Sequence, residues 1–230
     1  MKHPIRHTAL ITLFATVALT ACGSGDDDDT VATAPPVSAP PPAGAPAPAT
    51  DTAFATPANA TDTAEAGKIE LYAFAEKANE QTVGAVSFAN GAATLSTALT
   101  GPQAYAGAAL RLHAPNNTGT APVTPFNASA YGKLHLQLKS TTDAVLTIKL
   151  QPNPVAADGC TATAEALVSA TQSEIVIDLD ATRFPLPDYC NGAGSALAAV
   201  KSGLFAVDVI NSATTAGTHD LTVGRISFSQ

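Results

Sequence analysis

The stretch KLHLQLK at residues 133–139 alternates polar and apolar side chains without interruption. Successive side chains of a β-strand point to opposite faces, so this segment places three leucines on one face and polar groups on the other. The same alternation occurs at residues 110–114, 146–150, 175–180, 205–209 and 221–228. Strands that each bury one face, with almost no helical periodicity between them, predict an all-β fold, an antiparallel β-sandwich.

Three weaker strands are predicted at residues 69–74, 83–89 and 92–99. The last two flank Asn90-Gly91, a dipeptide typical of tight β-hairpins. Helix is predicted only at residues 195–201 and 164–170, each about two turns long. Both segments fall in the two long connections, residues 152–172 and 181–203.

The N-terminus has the order of an export signal. Lys2 and Arg6 precede an apolar run at residues 9–19, which is too short to span a bilayer. The next residues, Leu19-Thr20-Ala21-Cys22, resemble the lipobox of bacterial lipoproteins. The resemblance implies a lipoprotein signal peptide at 1–21 and acylation of Cys22; the alternative is an ordinary signal peptide with a chance cysteine.

Acylation of Cys22 would make the membrane a partner of the chain. Gly23 follows the cysteine instead of Asp, which by resemblance to the sorting rule of enteric bacteria implies the outer membrane. We therefore expect a lipid-anchored protein of the cell envelope, on its periplasmic side or at the cell surface.

Residues 22–65 consist mainly of Asp, Ala, Pro and Thr. Such a composition buries too little apolar surface to offset chain entropy, so we predict a disordered tether ahead of a β-sandwich domain at 66–230. The acidic run at 26–29 is either a solvated spacer or a metal-binding or surface-export signal.

The charge balance excludes one class of partner. Removal of Lys2 and Arg6 with the signal peptide leaves nine basic side chains against nineteen acidic ones. A nucleic acid would be repelled, so none is expected as a partner.

Cys160 and Cys190 remain after lipidation of Cys22. Disulfides persist outside the cytoplasm, so we predict a bond that joins the two long connections at one end of the sandwich. Closing a loop of about thirty residues stabilises a fold by roughly 3–4 kcal/mol. A zinc site is the alternative, but two cysteines without neighbouring histidines do not make a complete ligand set.

The stretch FNASAYGKLHLQLKS at 126–140 resembles a segment of galactose-binding-like jelly rolls, notably the carbohydrate-binding modules attached to glycoside hydrolases. Residues 173–184, 197–210 and 221–228 are similar to later parts of the same template. The resemblance spans about residues 66–230 and implies a jelly roll with a polysaccharide or other glycan as ligand.

The chain departs from that family at two features. Val223-Gly224-Arg225-Ile226 stands where those modules commonly read Ile-Asp-Asn-Ile, whose Asp helps to hold calcium, so neither a calcium ion nor another cofactor or metal is predicted. The chain also has no Trp. Only Tyr72, Tyr105 and Tyr189 are candidate stacking platforms for a sugar, and each could instead pack in the core or under a loop.

The predicted polar faces gather one set of candidate ligand-binding side chains: Arg111, His113, His135, Gln137, Lys149, Gln151 and Asp208. If the middle strands share a sheet, these side chains form one patch, with Arg111 and Lys149 suited to an acidic sugar. The alternatives are that they only solvate the sandwich, or that they lie on two different sheets.

Catalytic motifs are lacking. Asp178 and Asp180 share a strand face without a recognisable cleft, and His113 with His135 would be a weak metal pair. We therefore predict no enzyme, but a membrane-tethered binding module for a glycan. The alternative is a structural or protein-interaction lipoprotein of the envelope with no sugar ligand.

Overall fold

A computed structural model describes residues 51–59, 67–115, 124–171 and 174–230. The predicted signal peptide at 1–21, the acylation site Cys22 and most of the predicted tether lie outside the described residues.

Two antiparallel sheets make up the domain. The first has the strand order β2-β6-β11-β8-β9, formed by Ile69–Ala75, Ala106–His113, Ala206–Ser212, Ala144–Gln151 and Thr163–Val168. The second has the order β10-β7-β12-β5-β3, formed by Ile175–Asp178, Lys133–Ser140, Gly217–Ser229, Ala92–Leu99 and Gln81–Val83. It also carries β1, Thr52–Ala55, on β12 and β4, Ser87–Ala89, on β5.

The core lies between the sheets and follows the predicted alternation. Leu134, Leu136 and Leu138 of β7 are buried, and so are Leu146 and Ile148 of β8. Their polar neighbours point away from the core because side chains alternate across a strand. The predicted β-sandwich is therefore confirmed.

The hairpin at Asn90-Gly91 is also confirmed. Both residues have positive φ, 53° and 73°, as the mirror-image turn between two strands requires. The turn joins β4 to β5, while the predicted strand at 83–89 divides into β3 and β4.

The helix predicted at residues 164–170 is wrong. This segment forms β9, whose Ala164, Ala166 and Val168 are buried while Glu165 and Leu167 face outward. Alanine favours helix locally, but antiparallel pairing with β8 overrides that weak preference. The helix predicted at 195–201 is present as α1, Leu197–Ser202.

The start of the domain differs from the prediction. Thr52–Ala55 lies in the range predicted to be a disordered tether, yet it forms β1 and pairs with β12. Phe54 is fully buried, and its ring contacts Phe126 and Phe228 edge-on at centroid distances of 5.4 and 5.5 Å. One buried aromatic side chain supplies the apolar area that the surrounding residues lack, so the folded domain includes this strand.

Helices contribute little to this structure. Besides α1, only single 3₁₀ turns occur in the described part of the chain, at Ala78–Glu80 and Asp188–Cys190. None of the helices described there has the length and apolar character needed to cross a bilayer.

Replacing Phe54 with Ala should destabilise the domain by about 3–5 kcal/mol, because a large buried side chain leaves a cavity. The free energy of unfolding from urea titration measures the change. Val176→Ala is the matched control, since Val176 is 49% exposed on β10, and a truncation there should change the free energy by less than about 0.5 kcal/mol. Equal unfolding midpoints for the two variants would show that β1 does not stabilise the domain.

Candidate functional site

A groove crosses the outer face of the five-stranded sheet. Its volume is about 750 Å³. Cross-strand register places Arg111 opposite Asp208, Asp208 opposite Lys149, and Lys149 opposite Thr163. The groove therefore runs across the strands and not along them.

Small residues also occupy the outer face of the sheet beside the groove. Ala109 and Ala206 lie on this outer face, and Gly107 lies beneath the ring of Phe74. A Cβ atom on Gly107 would come within 2.6 Å of Phe74 Cζ, so even alanine would displace the ring. Gly107 therefore allows Phe74 to lie close to the sheet, where its ring lines the groove.

Asp208 organises the polar part of the floor. Its side chain is fully buried. Arg111 donates to it through Nε, at 2.7 Å, and through Nη2, at 2.9 Å. Gln151 Nε2 donates at 2.7 Å, and the Tyr72 hydroxyl at 3.1 Å. A bidentate guanidinium and two further donors compensate the cost of burying this carboxylate.

Tyr72 presents an aromatic ring at one end of this network. The guanidinium carbon of Arg111 lies 5.3 Å from the ring centroid, within cation–π range. Burial and the negative charge of Asp208 raise the pKa of the Tyr72 hydroxyl well above its ordinary value. The phenol therefore stays protonated and continues to donate to Asp208 at physiological pH.

Gln151 carries an unused acceptor. Its amide nitrogen donates to Asp208, which fixes the orientation of the amide, and the residue is only 2% exposed. Within the described residues, Oε1 has no hydrogen-bond partner. A buried acceptor without a partner costs about 1–3 kcal/mol, and the other hydrogen bonds of the floor offset this cost.

Two loops form the wall at the β8–β9 side, and a disulfide between Cys160 and Cys190 joins them, as predicted. Lys149 Nζ donates to Gly159 O at 3.4 Å and to the Tyr189 hydroxyl at 3.3 Å, and that hydroxyl donates to Gly159 O at 3.2 Å. The bond and these contacts hold the ring of Tyr189 at the groove, where it is 61% exposed.

Arg111, Lys149, Gln151 and Asp208, four members of the predicted set, line the groove. His113 lies on the same sheet but is covered: it is 4% exposed, and its Nε2 is 3.0 Å from Glu70 Oε2. Its ring also packs against Phe205. Burial lowers the pKa of His113, and Glu70 offsets part of that effect. His113 therefore supports the edge of the sheet and does not line the groove.

His135 and Gln137 do not join the predicted patch. Both lie on β7 in the seven-stranded sheet, where His135 Nε2 is 2.9 Å from Ser229 Oγ and Gln137 Oε1 accepts from the backbone N–H of Arg225. The strands β6, β7 and β8 follow one another in sequence, but β7 pairs with β12 and β10 instead of with β6 or β8. Of the alternatives that the sequence left open, the one in which the polar side chains lie on two different sheets is therefore the one found.

Of the three candidate stacking platforms, Tyr72 and Tyr189 line the groove. Tyr105 is 57% exposed but does not line it. Sequence reasoning missed Thr163 and Glu165, because their segment was predicted to be helical. The alternation of Ala164, Ala166 and Val168 with polar or exposed neighbours was the signal that would have placed them on a strand.

The positive and negative charges of the side chains that line the groove nearly cancel. The charge of Arg111 is neutralised by Asp208. The remaining charged lining residues are one cation, Lys149, and two anions, Asp158 and Glu165. The groove is therefore not a cationic site, and the expectation that Arg111 and Lys149 would suit an acidic sugar loses its basis.

The fold is similar to solved carbohydrate-binding modules. The family 11 module of a cellulosomal cellulase of Clostridium thermocellum matches with a TM-score of 0.50 and 9% identity, over 80% of this chain and 97% of that module. The family 11 module from Clostridium thermocellum in complex with a β-1,3-1,4-mixed-linked tetrasaccharide matches with a TM-score of 0.43 and 11% identity, over 77% of this chain and 96% of that module. A variant of a family 29 module matches with a TM-score of 0.43 and 14% identity, over 79% of this chain and 92% of that module.

The domain has a jelly-roll fold like that of carbohydrate-binding modules. At these identities the likeness extends to the fold alone. No protein-family profile matches the chain, and no curated protein sequence matches it.

Replacing Asp208 with Ala should destabilise the domain by about 3 kcal/mol, because it leaves the mostly buried Arg111 guanidinium without its partner. The urea unfolding midpoint reports the loss. Asp178→Ala is the matched control: its ion pair with Lys133, at 2.7 Å, is exposed, so the midpoint should scarcely move. Similar midpoints for the two variants would contradict the central role of Asp208.

Proposed function

We propose that the domain is a non-catalytic binding module for a polysaccharide, and that the ligand lies in the groove on the five-stranded sheet. The observation that carries the proposal is the combination of three aromatic rings, Tyr72, Phe74 and Tyr189, with a fixed polar floor. Both kinds of group line one cavity.

A sugar suits this combination. Each ring of a polysaccharide has apolar C–H faces and a rim of hydroxyl groups that donate and accept hydrogen bonds. Aromatic faces pack against the C–H groups, while a few fixed polar groups orient the hydroxyls. Lys149 and Arg111 offer donors, and the carboxylates of Asp158 and Glu165 offer acceptors, as such a ligand requires.

The charge balance favours an uncharged glycan. The positive charge of Arg111 is already matched by Asp208. Asp158 and Glu165 add negative charge beside Lys149, so a uronic acid would meet as much repulsion as attraction.

A binding role without catalysis agrees with the state of the central carboxylate. Glycoside hydrolysis uses one carboxyl group as a proton donor and a second as base or nucleophile, each free to reach the bond. Asp208 is fully buried and already accepts four hydrogen bonds. It is built to hold the floor and not to exchange a proton with a substrate.

The solved modules indicate which glycans to test first. A β-1,3-1,4-mixed-linked tetrasaccharide is bound to one of the family 11 modules, and a low-affinity xylan-binding module of Roseburia intestinalis has also been solved. These ligands belong to those proteins, and they supply a rational starting panel for this one.

Affinity gel electrophoresis in mixed-linked β-glucan, xylan and agarose tests the proposal. The wild-type protein should be retarded in at least one gel. Tyr189→Ala should weaken binding about tenfold through loss of the stacking surface, whereas Tyr189→Phe keeps the ring and should retain most of the affinity.

Tyr105→Ala is the matched control, since Tyr105 is also exposed but lies outside the groove. It should leave retardation unchanged. Absence of retardation in all three gels would refute the proposal and favour an envelope protein without a sugar ligand. Equal losses in Tyr105→Ala and Tyr189→Ala would place the site elsewhere.

We also propose that acylated Cys22 tethers the module to the outer membrane, on the basis of Leu19-Thr20-Ala21-Cys22 and the following Gly23. Labelling of cells with radioactive palmitate should mark the wild-type chain and not the Cys22→Ser variant, and fractionation should place the label in the outer membrane. An unlabelled wild-type chain would exclude the tether.

A further inference from the structure

The groove does not end at the edge strand β9. A second cavity of about 450 Å³ lies on its far side, lined in part by Arg183, Pro185 and Asp188. Thr163, Glu165 and Pro187 line both cavities. Because three residues are common to the two, the second cavity adjoins the first at the edge of the sheet.

The wall of the second cavity is fixed in place. The Asp180 carboxylate accepts hydrogen bonds from the backbone N–H groups of Thr182 and Arg183, at 2.8 and 2.9 Å. Phe184 anchors the segment in the core, and Pro185 O accepts from the backbone N–H of Thr163 at 3.0 Å. A wall that is ordered before binding costs a ligand little conformational entropy.

The chemistry of the second cavity resembles that of the groove. Pro185 and Pro187 offer compact apolar surface, and Arg183 offers a planar set of donors. Among the residues that the structure describes, no carboxylate lies within ion-pair distance of the Arg183 guanidinium. Asp188 and Glu165 supply acceptors nearby, so the cavity suits another uncharged sugar unit.

The length of the combined site constrains the ligand. Neighbouring strands lie about 4.8 Å apart, so the distance from β2 to β9 across five strands is roughly 19 Å. Tyr72 stands on β2 and Thr163 on β9. A chain that enters the second cavity must therefore be longer than one that fills the sheet face.

We propose that the second cavity is an extension subsite with Arg183 as its main donor, and that the module binds more units of a linear, uncharged polysaccharide than the sheet face alone holds. This inference rests on the proposed function, because it extends the same groove. Sugar units that lie beyond β9, in the second cavity, would add affinity of their own.

Isothermal titration calorimetry on the full-length protein in detergent tests the inference. The probes are oligosaccharide series of mixed-linked β-glucan, xylan and agarose, from disaccharide to octasaccharide. Affinity should rise with length until the chain reaches the second cavity. Arg183→Ala should weaken octasaccharide binding about tenfold, the effect of losing one charged donor, and should leave trisaccharide binding unchanged.

Lys139→Ala is the matched control, because it removes an exposed cation from the opposite sheet. This variant should bind both the trisaccharide and the octasaccharide with wild-type affinity. Equal wild-type affinity for trisaccharide and octasaccharide would overturn the extension subsite and leave the proposed function standing. A loss in Arg183→Ala that is the same at every length would also overturn it. Failure of every oligosaccharide to bind would refute the proposed function itself.

Discussion

The buried carboxylate of Asp208 is the constraint on which the candidate site depends. It lies at the middle of β11 and draws donors from β2, β6 and β8, through Tyr72, Arg111 and Gln151. A charge removed from water must be compensated, so these side chains have little freedom to move. The groove floor is rigid because the buried carboxylate of Asp208 would be left uncompensated if any of these donors moved away.

Lys149 links this floor to the wall above it. It stands beside Asp208 on the neighbouring strand and reaches Gly159 and Tyr189 in the two loops that the Cys160–Cys190 bond joins. Floor and wall are thus held by independent means, the sheet register and a covalent bond. A binding surface ordered before its ligand arrives loses less entropy on association, which suits a module that must hold a flexible glycan.

Much of the fold could be predicted from local patterns, but the site only in part. Alternation located β6, β8 and β11 and indicated which of their side chains face outward, so Arg111, Lys149 and Asp208 were identified. The same reasoning could not decide whether His135 shares their sheet, and β7, which carries it, belongs to the other one. The tether prediction missed Phe54 because composition averages over a segment, whereas one buried ring can decide whether a short strand docks.

The sequence by itself determined the positions of most strands, the face on which most of their side chains lie, and the pairing of the two cysteines. Each depends on neighbours along the chain or on a unique choice of partner. Only the tertiary structure decided which strands share a sheet, that β9 is a strand, and that Tyr189 reaches the groove above Lys149. The physical reason is that alternation fixes the face of a strand, while its partners are chosen by contacts between residues far apart in sequence.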